Sequence, residues 1–169
     1  MDYSHLMAHN PTMKVAVILS REPVESRWES HRWQLLGAIP DPGGAVRDLV
    51  DTPAMLQRLH PGFDVTLFKD EDEGYYLNVT SEEPSIFVSI RHDEGAEDPY
   101  PFQCTLSYNE AARWMDGSEK VERVPAWPEL VAWIAQWLEV NYRPEPRRSQ
   151  RPQSFEGKEG KLREKGSRQ

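Results

Sequence analysis

The stretch KVAVILS, at residues 14–20, decides how the rest of the sequence is interpreted. It is apolar throughout its middle and rich in β-branched residues, which predicts a strand buried on both faces. Glu22 and Pro23 follow and end that strand. Residues 1–13, which precede it, predict a loose leader, so we expect the folded domain to begin at residue 14.

Two tryptophans five residues apart come next, in SRWESHRWQLLG at residues 26–37. An odd spacing sends two strand residues to opposite faces, so one strand cannot bury both rings in one core. A second strand beginning near Arg32 makes Trp33 a core residue and leaves Trp28 in the preceding loop. The residues predicted to share the inner face are Trp33, Leu35, Gly37 and Ile39. Two roles stay open for Trp28, a lid over the sheet edge or a partner-binding residue.

The middle of the chain predicts one short helix and then four strands. Asp51, Thr52 and Pro53 resemble a helix start, which predicts a helix over 53–59. Alternating apolar residues then predict strands over 63–69, 75–81, 85–91 and 102–108. The acidic run at 70–74 has the length of a hairpin turn, and it lacks the alternating ligands over about 12 residues that a calcium loop needs. Short links of this kind favour antiparallel pairing.

The C-terminal third changes to helical signals. Ser107 and Glu110 form a capping box, with the serine hydroxyl on the Glu110 amide and the glutamate reaching back. We expect a helix over 108–115 closed by Gly117, a short strand over 120–124, and a long helix that begins at Pro128. The apolar residues of that long helix fill more than half of its circumference, so one broad side must be covered.

These elements predict an α+β fold, an antiparallel twisted sheet of about five to seven strands with the C-terminal helix packed on one face. A small barrel resembling a pleckstrin-homology fold is the second choice. We expect one domain over 14–147 and a disordered basic tail over 148–169, because the tail is rich in Pro, Gly, Ser, Lys and Glu.

Charge and cysteine content exclude several classes of function. Residues 143–169 have a net charge of +5, from nine Lys or Arg against four Asp or Glu, whereas residues 1–142 have a net charge of −13. An acidic body of this kind is a poor nonspecific nucleic-acid binder. The single cysteine, Cys104, cannot form an internal disulfide, which favours a reducing, cytoplasmic location. The sequence predicts no signal peptide and no membrane span.

No motif for catalysis or for ligand chemistry is present in the sequence. The histidines are scattered without metal spacing, and no glycine-rich phosphate loop follows a strand. Cys104 lies on the apolar side of its predicted strand, where a free cysteine is usually a small core residue. We therefore predict no catalytic, cofactor-binding or metal-binding residue.

Two groups of residues are candidates for binding a protein partner. The first lies in the loop around Trp28, where a large aromatic residue next to arginine is typical of binding hot spots. The second lies in the tail sequence RPEPRRSQRP, whose basic residues suit an acidic partner. The candidate residues are Arg27, Trp28, His31, Arg147, Arg148 and Arg151.

Three segments carry a family resemblance: VAVILSREPVESRWESHRWQLLGAIP, LSYNEAARWMDGSEKVERVP, and the exit VNYRPEPRRSQRP. Their specific parts are the pair formed by Arg27-Trp28 and Trp33, the block at 109–117, and the exit at 142–146. Together they resemble the proteobacterial domain-of-unknown-function family 3305 over residues 14–152. Members of that family tend to be encoded beside molybdenum-dependent formate dehydrogenases and their maturation factors.

The resemblance implies a non-enzymatic accessory protein that binds formate dehydrogenase or a maturation factor during assembly. Two alternatives stay open, an enzyme of molybdenum-cofactor nucleotide chemistry and a tail-mediated regulatory adaptor. The nucleotide chemistry resembles a Rossmann-like domain with an LAGG-type loop after its first strand, whereas SREP follows the first strand here.

Truncation after Arg148 tests the predicted tail. Because the removed segment has few large apolar residues, we expect the melting temperature to stay nearly unchanged in a thermal unfolding experiment. A loss of more than about 1 kcal/mol of unfolding free energy would show instead that the tail packs on the domain.

Overall fold

The computed structural model describes residues 10–144. Residues 1–9 and 145–169, which include Arg147, Arg148 and Arg151, lie outside the described residues, so the predictions of a loose leader over 1–13 and a disordered tail over 148–169 stay predictions there. The strands are β1 (Thr12–Pro23), β2 (His31–Pro40), β3 (Arg47–Thr52), β4 (Met55–Thr66), β5 (Ser85–Arg91), β6 (Tyr100–Thr105) and β7 (Lys120–Pro125). The α-helices are α1 (Asp72–Val79), α2 (Tyr108–Asp116) and α3 (Pro128–Asn141), and a 3-10 turn at Lys69–Glu71 precedes α1.

The seven described strands form two antiparallel sheets. One sheet has the order β2-β1-β4-β3 and the other has the order β6-β5-β7. The α+β class, the strand number and the C-terminal helix are therefore confirmed, with the strands divided between a four-stranded and a three-stranded sheet. Strand β2 lies beside β7 and β4 lies beside β6, so the two sheets meet at these strands.

Strand β1 is the centre of the larger sheet, paired with β2 on one side and β4 on the other. Its middle is buried on both faces, as the sequence predicts, and even the polar Ser20 is fully buried. On α3, Leu130, Ile134 and Leu138 recur every four residues and join the core. The edge of the Trp137 ring meets the Tyr75 ring of α1, with 5.6 Å between ring centroids.

A β-bulge changes the faces of β2. Leu35 pairs with Leu19 and Gly37 pairs with Ile18, so Leu36 is an extra residue in the ladder. After the bulge the inner and outer faces exchange, and Ala38 becomes buried whereas Ile39 is exposed. The prediction that Ile39 shares the inner face with Leu35 is therefore wrong.

The predicted helix over 53–59 is also wrong, because this segment turns β3 into β4. The Thr52 hydroxyl accepts a hydrogen bond from the Met55 amide at 3.1 Å and lies 3.2 Å from the Met55 carbonyl oxygen. A tight turn at residues 53–54 results, and β4 then pairs with β1 along its length. Of the predicted strand over 63–69, residues 63–66 form the end of this longer strand, which stops at Thr66.

A 3-10 turn at Lys69–Glu71 and helix α1 at Asp72–Val79 stand where the sequence predicts an acidic turn over 70–74 and a strand over 75–81. Helix α1 packs against α2 and α3 through buried Tyr75 and Asn78. The Asn78 amide donates to the carbonyl oxygens of Ser85 and Leu106 at 2.8 and 3.0 Å, and its oxygen accepts from the Ser85 amide at 2.9 Å. These long-range bonds favour the helix over the strand that the local pattern suggests.

The capping box of α2 is half confirmed. The Ser107 hydroxyl accepts a hydrogen bond from the Glu110 amide at 3.0 Å. The Ser107 amide, however, donates to the Thr105 hydroxyl at 3.0 Å, so the glutamate does not complete the box. The Ser107 hydroxyl instead donates to the Glu71 carboxylate, which also receives Arg113 of α2. Helix α2 ends at Gly117 and α3 begins with Pro128, as predicted.

We predict that Gly74→Ala destabilises the protein, because an added Cβ would overlap Ser107 Oγ and lie 3.0 Å from Ser107 Cβ. Although alanine is preferred in helices by about 1 kcal/mol, we expect a net loss of about 2 kcal/mol in urea unfolding. The matched control is Gly37→Ala, where nothing lies within 4 Å of the added Cβ. Equal stability of the two variants would contradict the close packing of α1 on α2.

Candidate binding cleft

A cleft of about 910 Å³ lies where the two sheets meet. The end of β1 and the start of β2 form one wall, and β5, β7 and the loop before β6 form the other. The residues that matter for its chemistry are Arg21, Trp28, His31, Trp33, Asp98 and Glu122. The cleft thus brings together side chains that are about 100 residues apart in the sequence.

Trp33 is the aromatic residue of the inner wall. It lies on β2 opposite Arg21 of β1, and its half-buried ring packs against the core. The guanidinium carbons of Arg21 and Arg58 lie 5.7 and 5.6 Å from the ring centroid, within the range of cation–π attraction. The prediction that Trp33 faces the core is confirmed, and the cations around it are a feature that the sequence does not reveal.

Arg58 is held by two carboxylates from different parts of the fold. Its Nε donates to Asp48 of β3 at 2.8 Å, and its Nη1 donates to Asp98 of the β5–β6 loop at 2.8 Å. These hydrogen bonds raise the pKa of Arg58, and the Arg58 hydrogen bond lowers the pKa of Asp48. The contact with Asp98 ties the larger sheet to the smaller one at the cleft.

Glu122 of β7 crosses from the smaller sheet to β2. Its Oε1 accepts a long hydrogen bond of 3.4 Å from the Leu35 amide. Its Oε2 is buried and has no hydrogen-bond partner among the described residues. Lys120 Nζ lies 3.8 Å from Oε2, close enough for an ion pair but too far for a hydrogen bond. The carboxylate therefore has unused capacity to accept hydrogen bonds.

The loop before β2 carries the first group of predicted partner-binding residues. Arg27, Trp28 and His31 are all exposed, and Trp28 is 90% exposed. Trp28 and His31 line the cleft. A side chain with so much exposure covers little of the core, so its position does not support the lid interpretation.

Cys104 and possible metal ligands are the remaining candidates for chemistry. Burial raises the pKa of Cys104 to about 12, so the group is a neutral thiol near pH 7 and a weak nucleophile. Within residues 10–144, no group of three His, Cys, Asp or Glu side chains could hold a metal ion. Over the same residues, none of the helices has the length and apolar character needed to cross a membrane.

A family described as "Protein of unknown function (DUF3305)" matches residues 14–151. The chain belongs to this family. The match spans all six predicted partner-binding residues, both sheets and the cleft between them. This DUF3305 chain matches no curated protein and no solved structure.

We predict a clear difference between the two tryptophans of the DUF3305 chain. Trp33→Ala removes a ring packed on the core and should cost about 3 kcal/mol of unfolding free energy. Trp28→Ala removes an exposed ring and should change stability by less than about 1 kcal/mol. Urea denaturation of both variants measures the difference, and comparable losses would restore the lid interpretation of Trp28.

Proposed function

We propose that the protein is a non-enzymatic accessory protein that acts by binding another protein at the Trp28 side of the cleft. The observation that carries this proposal is the 90% exposure of Trp28. Tryptophan and arginine are enriched among the residues that contribute most to protein–protein binding. Here Arg27, which is exposed, precedes Trp28 in the sequence, and His31 lines the same cleft as Trp28.

The loop that presents Trp28 is shaped by its own hydrogen bonds. The Val24 amide donates to the Ser30 carbonyl oxygen at 3.2 Å, which closes the base of the loop. Within it, the Trp28 amide donates to the Ser26 hydroxyl at 3.1 Å. A loop that its own hydrogen bonds hold in shape loses less conformational entropy on association, which favours its use as a docking site.

The family resemblance directs the choice of partner. Because it implies an accessory role beside molybdenum-dependent formate dehydrogenases, we propose a formate dehydrogenase subunit or one of its maturation factors as the partner, bound in the cytoplasm. Binding would serve assembly or maturation of that enzyme. The basic residues Arg147, Arg148 and Arg151 would add a second, electrostatic contact if the partner surface is acidic.

Trp28→Ala should weaken the complex with the purified formate dehydrogenase by about 2 kcal/mol, or roughly 30-fold in Kd, because it removes the central aromatic contact. Biolayer interferometry with the full chain measures this change. Met115→Ala is the control, since Met115 is 52% exposed on α2 and lies away from the cleft. Equal affinity of the Trp28 variant and the wild type would contradict the proposal.

The same samples separate the alternative functions. A larger loss on replacing Arg147, Arg148 and Arg151 with alanine than on replacing Trp28 would favour the tail-mediated adaptor. Saturable binding of GTP with a Kd near ~1 μM in calorimetry would favour molybdenum-cofactor nucleotide chemistry.

A further inference from the structure

We propose that the junction between the two sheets is sensitive to pH, and that His60 of β4 is the group that responds. A proton gained by His60 weakens the hold of Arg58 on its two carboxylates and so disturbs the wall of the cleft. This inference goes beyond the proposed function, because it concerns the free protein and holds whatever the partner is. Three features support it: the position of His60, the surroundings of its ring, and the place of Arg58 between the sheets.

His60 lies on the same face of the larger sheet as Arg58. Residues two positions apart in a strand share a face, and the pairing of β4 with β1 has no register shift between these two residues. His60 lies opposite Val17 and Arg58 lies opposite Leu19, and both of these β1 residues belong to the core. The imidazole and the guanidinium are therefore neighbours on the core face of the sheet.

The ring of His60 lacks an acceptor for a proton on its inner nitrogen. Its Nε2 is buried and has no hydrogen-bond partner among residues 10–144. In a neutral imidazole only one nitrogen carries a proton, whereas in the imidazolium both do. A buried N–H group of a cation without an acceptor raises the free energy of the folded protein. The folded chain thus favours the neutral form of His60.

Asp48 is the charged residue of β3 that bears on His60. It lies opposite Arg58 and accepts a hydrogen bond from it at 2.8 Å, so its negative charge is already engaged. Arg47 lies on the other face of the sheet, and Asp51 lies farther along the strand. One engaged carboxylate is therefore the main attraction that β3 offers to an imidazolium.

Strands β1 and β6, which also lie against β4, add no charge near His60. Residues 15–19 of β1 contain no ionisable side chain. The titratable residues of β6 are Tyr100 and Cys104, and both stay neutral near pH 7 because their pKa values are raised, that of Cys104 to about 12. Neither strand thus stabilises a positive charge on His60.

The direction of the pKa shift agrees with this geometry. Burial lowers the pKa of His60 below its ordinary value of 6.5, the positive charge of Arg58 lowers it further, and Asp48 partly offsets both effects. At pH values well above 6.5 the group is neutral in the folded and the unfolded chain, so it has no effect on stability. As the pH falls below 6.5, the unfolded chain binds the proton more readily, so the free energy of unfolding decreases.

Arg58 carries the effect of this proton to the cleft. Among the ion pairs within residues 10–144, the pair of Arg58 and Asp98 is the one that joins the larger sheet to the smaller sheet. Both side chains are partly buried, so salt screens their interactions less than it would at the surface. A positively charged His60 repels Arg58 and competes with it for Asp48. Because Arg58 lies 5.6 Å from the ring centroid of Trp33, the cleft wall responds as well.

NMR of the full chain between about pH 8 and about pH 5 tests the inference, since histidines titrate in this range. We expect the Cε1–H signal of His60 to titrate with a midpoint below 6.5, and the indole N–H signal of Trp33 to show a component with the same midpoint. His60→Gln should reduce that component at least threefold. His31→Gln and His92→Gln are the controls, because both histidines are exposed and line the cleft, and each variant should retain the component.

Three results would overturn the inference. These are a His60 midpoint at or above 6.5, a Trp33 signal without a component at the His60 midpoint, or a component that persists at full size in His60→Gln. If His60→Gln does not fold, the wild-type titration still decides, because the inference requires His60 and Trp33 to share one midpoint. These measurements need no partner, so they remain decisive even if formate dehydrogenase does not bind.

Discussion

The double ion pair of Arg58 fixes the geometry on which the cleft depends. One guanidinium joins β4 to Asp48 of β3 and to Asp98 of the β5–β6 loop, and it also faces the ring of Trp33. Because these partners belong to both sheets, the contact sets how the sheets meet at this end. An arginine suits this position, since its rigid fork of donors can serve two carboxylates and an aromatic face together.

The parts of the fold that the sequence predicts correctly are those in which local pattern and tertiary packing agree. The middle of the stretch at residues 14–20 is apolar on both sides, and β1 is indeed one of the two inner strands of its sheet. The apolar alternation over 85–91 gives β5, which is central in the other sheet. Ser107 and Pro128 are signals that act within one turn of their helices, so they need no knowledge of the rest of the chain.

The errors occur where a distant contact overrides local preference. The segment YYLNV has strand-forming residues, yet it is helical because Asn78 satisfies backbone groups of β5 and of the segment after β6. Asp51-Thr52-Pro53 has the composition of a helix cap, yet pairing with β1 makes the following residues a strand. The cleft could not be predicted from the sequence either. Leu35 and Glu122, which meet there, are 87 residues apart, and no periodic pattern indicates such a contact.

The two tryptophans of residues 26–37 have different places in the fold. Trp33 is packed on the core and surrounded by Arg21 and Arg58, so its ring helps to hold the wall and is poorly placed to take a ligand. The five-residue spacing keeps Trp28 off the strand, where its ring reaches solvent at the rim. Trp33 thus contributes to the stability of the wall, whereas the indole of Trp28 stays available to the partner that we propose.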